Sequence, residues 1–312
     1  MPCRAVSRAP SVHPYATRQY AATLSRIGRP LYVEAWDTHV IVRSWQDGVE
    51  DAMGTYPLAC LAEDSNLAAG LDALRSAGLL TVTLVVDGLA GPALVDLRKA
   101  FGHIRPFKAH FVVDPAIAPY APSSHHQYEI RRALRRGVEV REHALRDIID
   151  DWTALYENLI ERHAIAGVQR FSRASFEALA ACDGVCALGA WLDGDLVSCH
   201  LWVRHGQRVW SHLAASSEAG YAAGAAYAIY DRSIRRFEGE LVSLGGSAGL
   251  AADSDGLARF KAGFSNRTIE AHIVGEVLDR GRYEIVCAQR GGASAGDYFP
   301  LYRSPQAPGA TA

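Results

Sequence analysis

Residues 185–216 read VCALGAWLDGDLVSCHLWVRHGQRVWSHLAAS, three apolar runs separated by Asp193-Gly194 and His205-Gly206. Such dipeptides make two-residue turns, and strands joined so tightly can pair only antiparallel. The stretch therefore predicts a three-stranded meander. Beyond it, GYAAGAAYAIYDRSIRRF (220–237) has helical spacing, LVSLGG (241–246) is a short strand, DGLARFKAGF (255–264) a helix and TIEAHIVGEVL (268–278) a strand. Before it stand a strand VEVRE (138–142), a long helix over about 145–163, and SRASFEALAA (172–181), a helix capped by Ser172.

Further towards the N-terminus, LYVEAW (31–36), HVIVRSW (39–45) and TYPLACL (55–61) read as strands, with Asp47-Gly48 as a hairpin turn. NLAAGLDALRSAG (66–78) is helical, TVTLVVD (81–87) a β-branched strand, PALVDLRKAF (92–101) a helix and KAHFVVD (108–114) a strand. A Pro- and Ala-rich stretch between Pro115 and Pro122 marks the hinge. The expected division is a loose segment at 1–30, a domain at 31–122, a basic linker helix at 123–137, a domain at 138–303 and a tail at 304–312.

The 312 residues are 49% apolar and 21% charged, with a formal net charge of -2, which excludes fibrous and disordered classes and a wholesale nucleic-acid coat. Only Lys99, Lys108 and Lys261 are lysines among 32 basic residues, so an ammonium at 261 stands out in a chain that otherwise uses arginine. Cys3, Cys60, Cys182, Cys186, Cys199 and Cys287 form no C-x-x-C pair. They are expected as reduced, buried thiols of a cytoplasmic protein, Cys199 included, with no metal bound. No run of 18 apolar residues occurs, so no membrane span is expected.

The order helix, helix, three-strand meander, helix, strand, helix, strand resembles the GNAT acyltransferase fold, and the first half reads as a degenerate copy. The expected fold class is therefore mixed α/β, with two tandem GNAT-like domains. Two such halves, Leu244-Gly245-Gly246 at a strand end, the Phe260-Lys261 pair and the IRRALRRGVEV linker resemble the Fem-type aminoacyltransferases. The resemblance spans roughly residues 31–303. It implies an enzyme that moves an aminoacyl group from aminoacyl-tRNA to the amine of a peptidoglycan precursor or specialised metabolite. It also implies that Phe260 and Lys261 line the acceptor site.

An ammonium at Lys261 suits a developing oxyanion or a substrate phosphate, and solvation of an ordinary helix lysine is the plainer account. The functional reading requires Lys261 to stand out of bulk solvent. Gly245 and Gly246 would let backbone amides approach a ligand, although a tight strand exit explains them equally. Pairing about a His205-Gly206 turn puts His200 and His212 on opposite faces. His212 shares the more apolar one and is the candidate proton acceptor, against the blander reading of a hydrogen-bonded core histidine. Arg131, Arg132, Arg135 and Arg136 form two columns on the linker helix beside an apolar seam of Ile130 and Leu134; Arg131 and Arg135 are candidate substrate contacts, or simply a solvated face.

No separate cofactor is expected, aminoacyl-tRNA or acyl-coenzyme A serving as co-substrate. Coenzyme A is disfavoured because the stretch where its pyrophosphate loop would lie, Ser217-Glu218-Ala219-Gly220-Tyr221-Ala222, keeps Gly-x-Ala but lacks a leading basic or amide residue and carries Glu218. An acyl-coenzyme A N-acyltransferase and a non-catalytic binding module are the alternatives.

Overall fold

The structure, a computed structural model, describes residues 12–246, 255–289 and 298–304. In chain order, the first elements are α1 (Arg18–Ala22), β1 (Arg29–Val33), β2 (Thr38–Ser44), β3 (Glu50–Gly54), α2 (Leu67–Ser76), β4 (Thr81–Val86), α3 (Leu94–Ala100) and β5 (His103–Val113). Then come α4 (Ser124–Arg135), β6 (Glu139–His143), α5 (Ile149–His163), α6 (Arg173–Ala180), β7 (Val185–Leu192), β8 (Asp195–His205) and β9 (Arg208–Ser216). The last are α7 (Glu218–Ala223), α8 (Ala225–Arg236), β10 (Leu241–Gly245), α9 (Asp255–Ala262), β11 (Arg267–Val277) and α10 (Arg280–Gln289). The mixed α/β class is as expected.

The chain divides into two compact units, Met1–Pro14 with Lys108–Glu270, and Tyr15–Phe107 with Ala271–Ala312. This differs from a division at the Pro115–Pro122 hinge. In the first unit the strand order is β5-β10-β9-β8-β7-β6, antiparallel throughout except where β9 and β10 run parallel across the α7–α8 connection. In the second the order is β1-β2-β3-β4-β11, with β3 and β4 parallel across α2. Each unit is a set of antiparallel strands, a helical crossover, a parallel strand and one closing antiparallel strand. The closing strand beside β4 is β11, and the one beside β10 is β5, so chain order does not reveal to which unit each closing strand belongs.

Several boundaries depart from the sequence reading for local reasons. The 1–30 segment is not loose where it is described: Tyr15, Tyr20 and Leu24 are buried, the two tyrosine rings lie 4.8 Å apart, and Thr17 caps α1. Residues 1–11 and 305–312 lie outside the described residues. TYPLACL is buried at Leu58–Leu61 but irregular, and β3 precedes it, turning from β2 at Asp47 (φ 55°) and Gly48 (φ 70°). The 220–237 helix is two helices, broken at Gly224 (φ 74°). Helix α10 has no counterpart in the sequence reading.

The second unit packs Trp36, Leu71, Leu74, Val82, Leu84 and Val274 into an apolar core. The first unit has its own core, in which Trp202, Ile229, Tyr230, Val242, Leu244 and Phe264 pack α8 and α9 on the sheet. A fully buried side chain of this size contributes about 1.5–3 kcal/mol. Among the described residues no helix is long and apolar enough to cross a membrane.

Candidate active site

Strand β10 ends at Leu244-Gly245-Gly246. Gly245 has φ 70°, so the strand exit needs glycine for its backbone, and a Cβ there would stand 3.6 Å from the Lys261 nitrogen. Lys261, on α9, is only 7% exposed, and its Nζ donates to the Gly246 carbonyl at 2.5 Å. Among the described residues no carboxylate pairs with it. Burial, and after it the nearby Lys108, push its pKa down from 10.5 to about 8. An ammonium buried without a counter-charge is costly, and groups of this kind concentrate at sites that bind or make charge.

Two further basic groups border Gly246. A Cβ at that position would meet the His110 ring at 3.1 Å and the Lys108 stem at 3.3 Å. His110 is buried, its Nδ1 has no partner, and burial followed by Lys261 and Lys108 holds its pKa near 4. Nothing in the sequence separates His110 from any lone strand histidine.

The two meander histidines lie on opposite faces, as the sequence reading has them, although the register differs. The β8–β9 turn is Gly206-Gln207, since His205 pairs with Arg208, and a bulge lets Trp202 face Ser211 while Leu201 faces Leu213. His212 is the extra residue. Its ring meets Phe171 edge-on at 5.8 Å, and burial lowers its pKa to about 3. His200 lies on the other face, among Trp202 (4.0 Å between ring centroids) and Tyr230 (4.7 Å), with Nε2 2.8 Å from Ser211 Oγ and Nδ1 unpartnered. Its pKa is well below 6.5 through burial first and then the positive charge of Lys261, with His212 adding less. The histidine nearer the ammonium's influence is therefore His200: spacing put the two rings on opposite faces, but the more apolar face, on which His212 was selected, is not the one where Lys261 acts. Cys199 is fully buried, and burial pushes its thiol up, consistent with a packing role.

Phe260 packs against Tyr230 at 4.8 Å and Tyr227 at 4.9 Å, which orients α9. His126, at the start of α4, anchors the same helix: its Nε2 donates to the Phe260 carbonyl at 2.7 Å, Nδ1 meets Ser123 Oγ at 2.8 Å, and a Cβ at Gly263 would overlap its ring. The sequence held a signal for this contact in the glycine two residues past Lys261, but nothing that named its partner.

On α4 the seam is His126, Ile130 and Ala133, while Leu134 is 53% exposed. Arg132 pairs with Glu129 at 3.0 Å and Arg136 donates to the Ala222 carbonyl, whereas Arg131 and Arg135 are exposed and make no ion pair among the described residues. At the expected pyrophosphate loop, Ser217 Oγ accepts from the Gly220 amide at 3.1 Å, Gly220 packs too closely on Val197 to hold a side chain, and Glu218 occupies the first turn of α7. The helix end is thus occupied by its own cap and carboxylate.

Residues 124–249 match the acetyltransferase (GNAT) domain family. This stretch, less than half the chain, makes the protein an acyltransferase by domain type. No curated protein matches in sequence. Among solved structures, FemX superposes with a TM-score of 0.60 at 12% identity, covering 89% of this chain and 95% of that one. The L-PGS of Bacillus licheniformis gives 0.61 at 13% identity over 87% and 90%. A C-terminal DUF2156 domain from Agrobacterium fabrum gives 0.59 at 14% over 88% and 93%. At such identities the likeness is one of fold.

Proposed function

We propose that the protein is an aminoacyltransferase that takes its acyl group from aminoacyl-tRNA and forms an amide on the amine of a peptidoglycan precursor or specialised metabolite. The carrying observation is the buried ammonium of Lys261 at the Gly245-Gly246 strand exit, paired with no carboxylate among the described residues. In such a reaction a neutral amine attacks the ester carbonyl that joins the amino acid to ribose. The C–N bond forms, the C–O bond to ribose breaks, and the amine's proton leaves with the ribose hydroxyl. The role of Lys261 is to stabilise the negative charge on the carbonyl oxygen between these events. Phe260 and His126 hold the helix that carries it; Gly245 turns the strand end beside the ammonium, and Gly246 fits closely against Lys108, Ala109 and His110. His212 takes no part in this scheme.

Incubation with charged tRNA and candidate amines, with and without ribonuclease, tests the donor. Product that forms equally after ribonuclease digestion rejects it. In the same assay Lys261→Ala is expected to lower turnover at least ~10-fold, about 1.4 kcal/mol of transition-state stabilisation, with folding intact. Unchanged turnover would remove Lys261 from the mechanism, whereas absence of transfer by wild type with either donor would favour a non-catalytic module. The match of residues 124–249 to an acetyltransferase domain supports a second reading, acyl-coenzyme A as donor. Thermal stabilisation by coenzyme A would favour it, and the carboxylate of Glu218 at the start of α7 speaks against it.

A further inference from the structure

Helices α4 and α8 flank a groove of about 450 Å³ whose floor is β6. Ile130, Leu134, Val138, Val140 and Ala228 make it apolar, and Arg141 and Arg232 stand at its margins. Two carboxylates also line it, and both are engaged: Glu139 with Arg141, and Asp231 with Arg235 at 2.9 Å and the Tyr120 hydroxyl at 3.1 Å. Arg131 and Arg135 flank Leu134 on the exposed side of α4, because residues 131, 134 and 135 share one helical stripe. Arg131, Arg135 and Arg232 are all exposed, and among the described residues none has an ion-pair partner. A positively charged margin around an apolar trough therefore exists on a chain whose formal net charge is -2.

We propose that this groove is a docking surface for a single-stranded segment of RNA, with phosphates on Arg131, Arg135 and Arg232 and a base against Leu134 and Val140. The proposal rests on the tRNA-donor reading and gives that donor a place on the protein. Guanidinium groups suit the task because their fork of donors matches phosphate oxygens, and their planes stack on bases. The Arg141 guanidinium carbon stands over the Trp191 ring, 5.7 Å from its centroid. A lipid surface fits less well. It calls for a broad apolar face, whereas Leu134 is the large apolar side chain exposed in this trough, and the others are recessed.

The test is equilibrium binding of uncharged bulk tRNA by fluorescence anisotropy over a salt series, with the full chain. Wild type is expected to bind with affinity that falls steeply as salt rises. The triple variant Arg131→Gln, Arg135→Gln, Arg232→Gln should bind at least ~10-fold more weakly, and its slope of log affinity against log salt should shrink by about 0.7 for each phosphate no longer neutralised. Leu134→Glu should weaken binding with less change in slope. Arg98→Gln, the loss of a single exposed arginine on α3, should leave both unaltered. All these positions are exposed, and an unchanged melting temperature verifies the fold; single variants replace the triple one if it melts early. A triple variant that binds tRNA like wild type overturns the groove while leaving the donor reading intact. Absence of tRNA binding by wild type also overturns it. So does preferential binding of phosphatidylglycerol vesicles. Ribonuclease-insensitive transfer, by contrast, removes the donor reading without deciding whether the groove holds RNA.

Discussion

Each unit buries a charge, and the two are treated in opposite ways. In the second unit, the side chain of Asp51 on β3 is fully buried and surrounded by partners: Arg43 at 3.0 Å, the Arg303 guanidinium and the Tyr302 hydroxyl at 2.7 Å, which in turn meets Thr81 at 2.8 Å. In the first unit, Lys261 has one carbonyl as its partner among the described residues. The same succession of antiparallel strands, crossover helix and parallel strand thus supports a closed ion network in one case and an open positive site in the other. A compensated charge holds structure together, here the 302–303 segment against β3. An uncompensated one costs stability and is retained where a ligand or reaction supplies the missing charge.

Removing each charge should therefore move stability in opposite directions. Asp51→Asn leaves Arg43 and Arg303 facing each other's charge without a carboxylate, and breaking a buried pair from one side costs about 3–5 kcal/mol. Urea unfolding should show that loss, and a loss below about 1 kcal/mol would mean the network is not what holds the segment.

Lys261→Met should instead stabilise the protein, by up to about 3 kcal/mol at pH 7, from the difference between an unfolded pKa of 10.5 and a folded one of about 8. Below about pH 8 both states carry the proton and the full cost is present. Between 8 and 10.5 the unfolded chain holds more protons, so wild-type stability rises with pH and the variant's advantage fades. Unfolding measured across that range checks both sign and window; a variant less stable than wild type at pH 7 breaks the comparison. Turnover, by the same protonation, should fall in wild type as pH rises through about 8.

Much of this contrast was present in the sequence. The 185–216 meander, the strand at 241–245 and the helix carrying Lys261 follow from apolar periodicity, and a rare lysine after a Gly-Gly exit was a usable signal. What stayed hidden was non-local. Nothing in β5 or β11 announces which unit it closes, since both are apolar strands that fit either. TYPLACL at 55–61 shows why an apolar run predicts burial more safely than pairing: Leu58, Ala59, Cys60 and Leu61 are buried, yet the segment takes no regular strand form. Tyr15 and Tyr20 carried a core signal within a segment that its basic residues made look loose. His126 and His110 needed coordinates, because a single histidine says nothing of the carbonyl or ammonium it will meet.

The smallest effect concerns the two histidines on opposite faces of the meander. If His200 carries its proton on Nε2, 2.8 Å from Ser211 Oγ, the serine accepts and Nδ1 is left bare. His200 Nδ1 is then a buried acceptor without a donor, on the side of the core where Lys261 acts on it. Replacing that ring by a hydrocarbon removes a polar neighbour of the ammonium and deepens its desolvation. His200→Leu should therefore shift the alkaline limb of the turnover profile to lower pH by roughly a few tenths of a unit, below about 1 kcal/mol. His212→Leu, facing Phe171, should leave the limb where it is. The pair separates a packing role from an electrostatic one, since both variants disturb the core and only one alters the surroundings of Lys261. A shift from His212→Leu with none from His200→Leu would restore the assignment made from turn spacing and would place the ammonium on the other face of the meander.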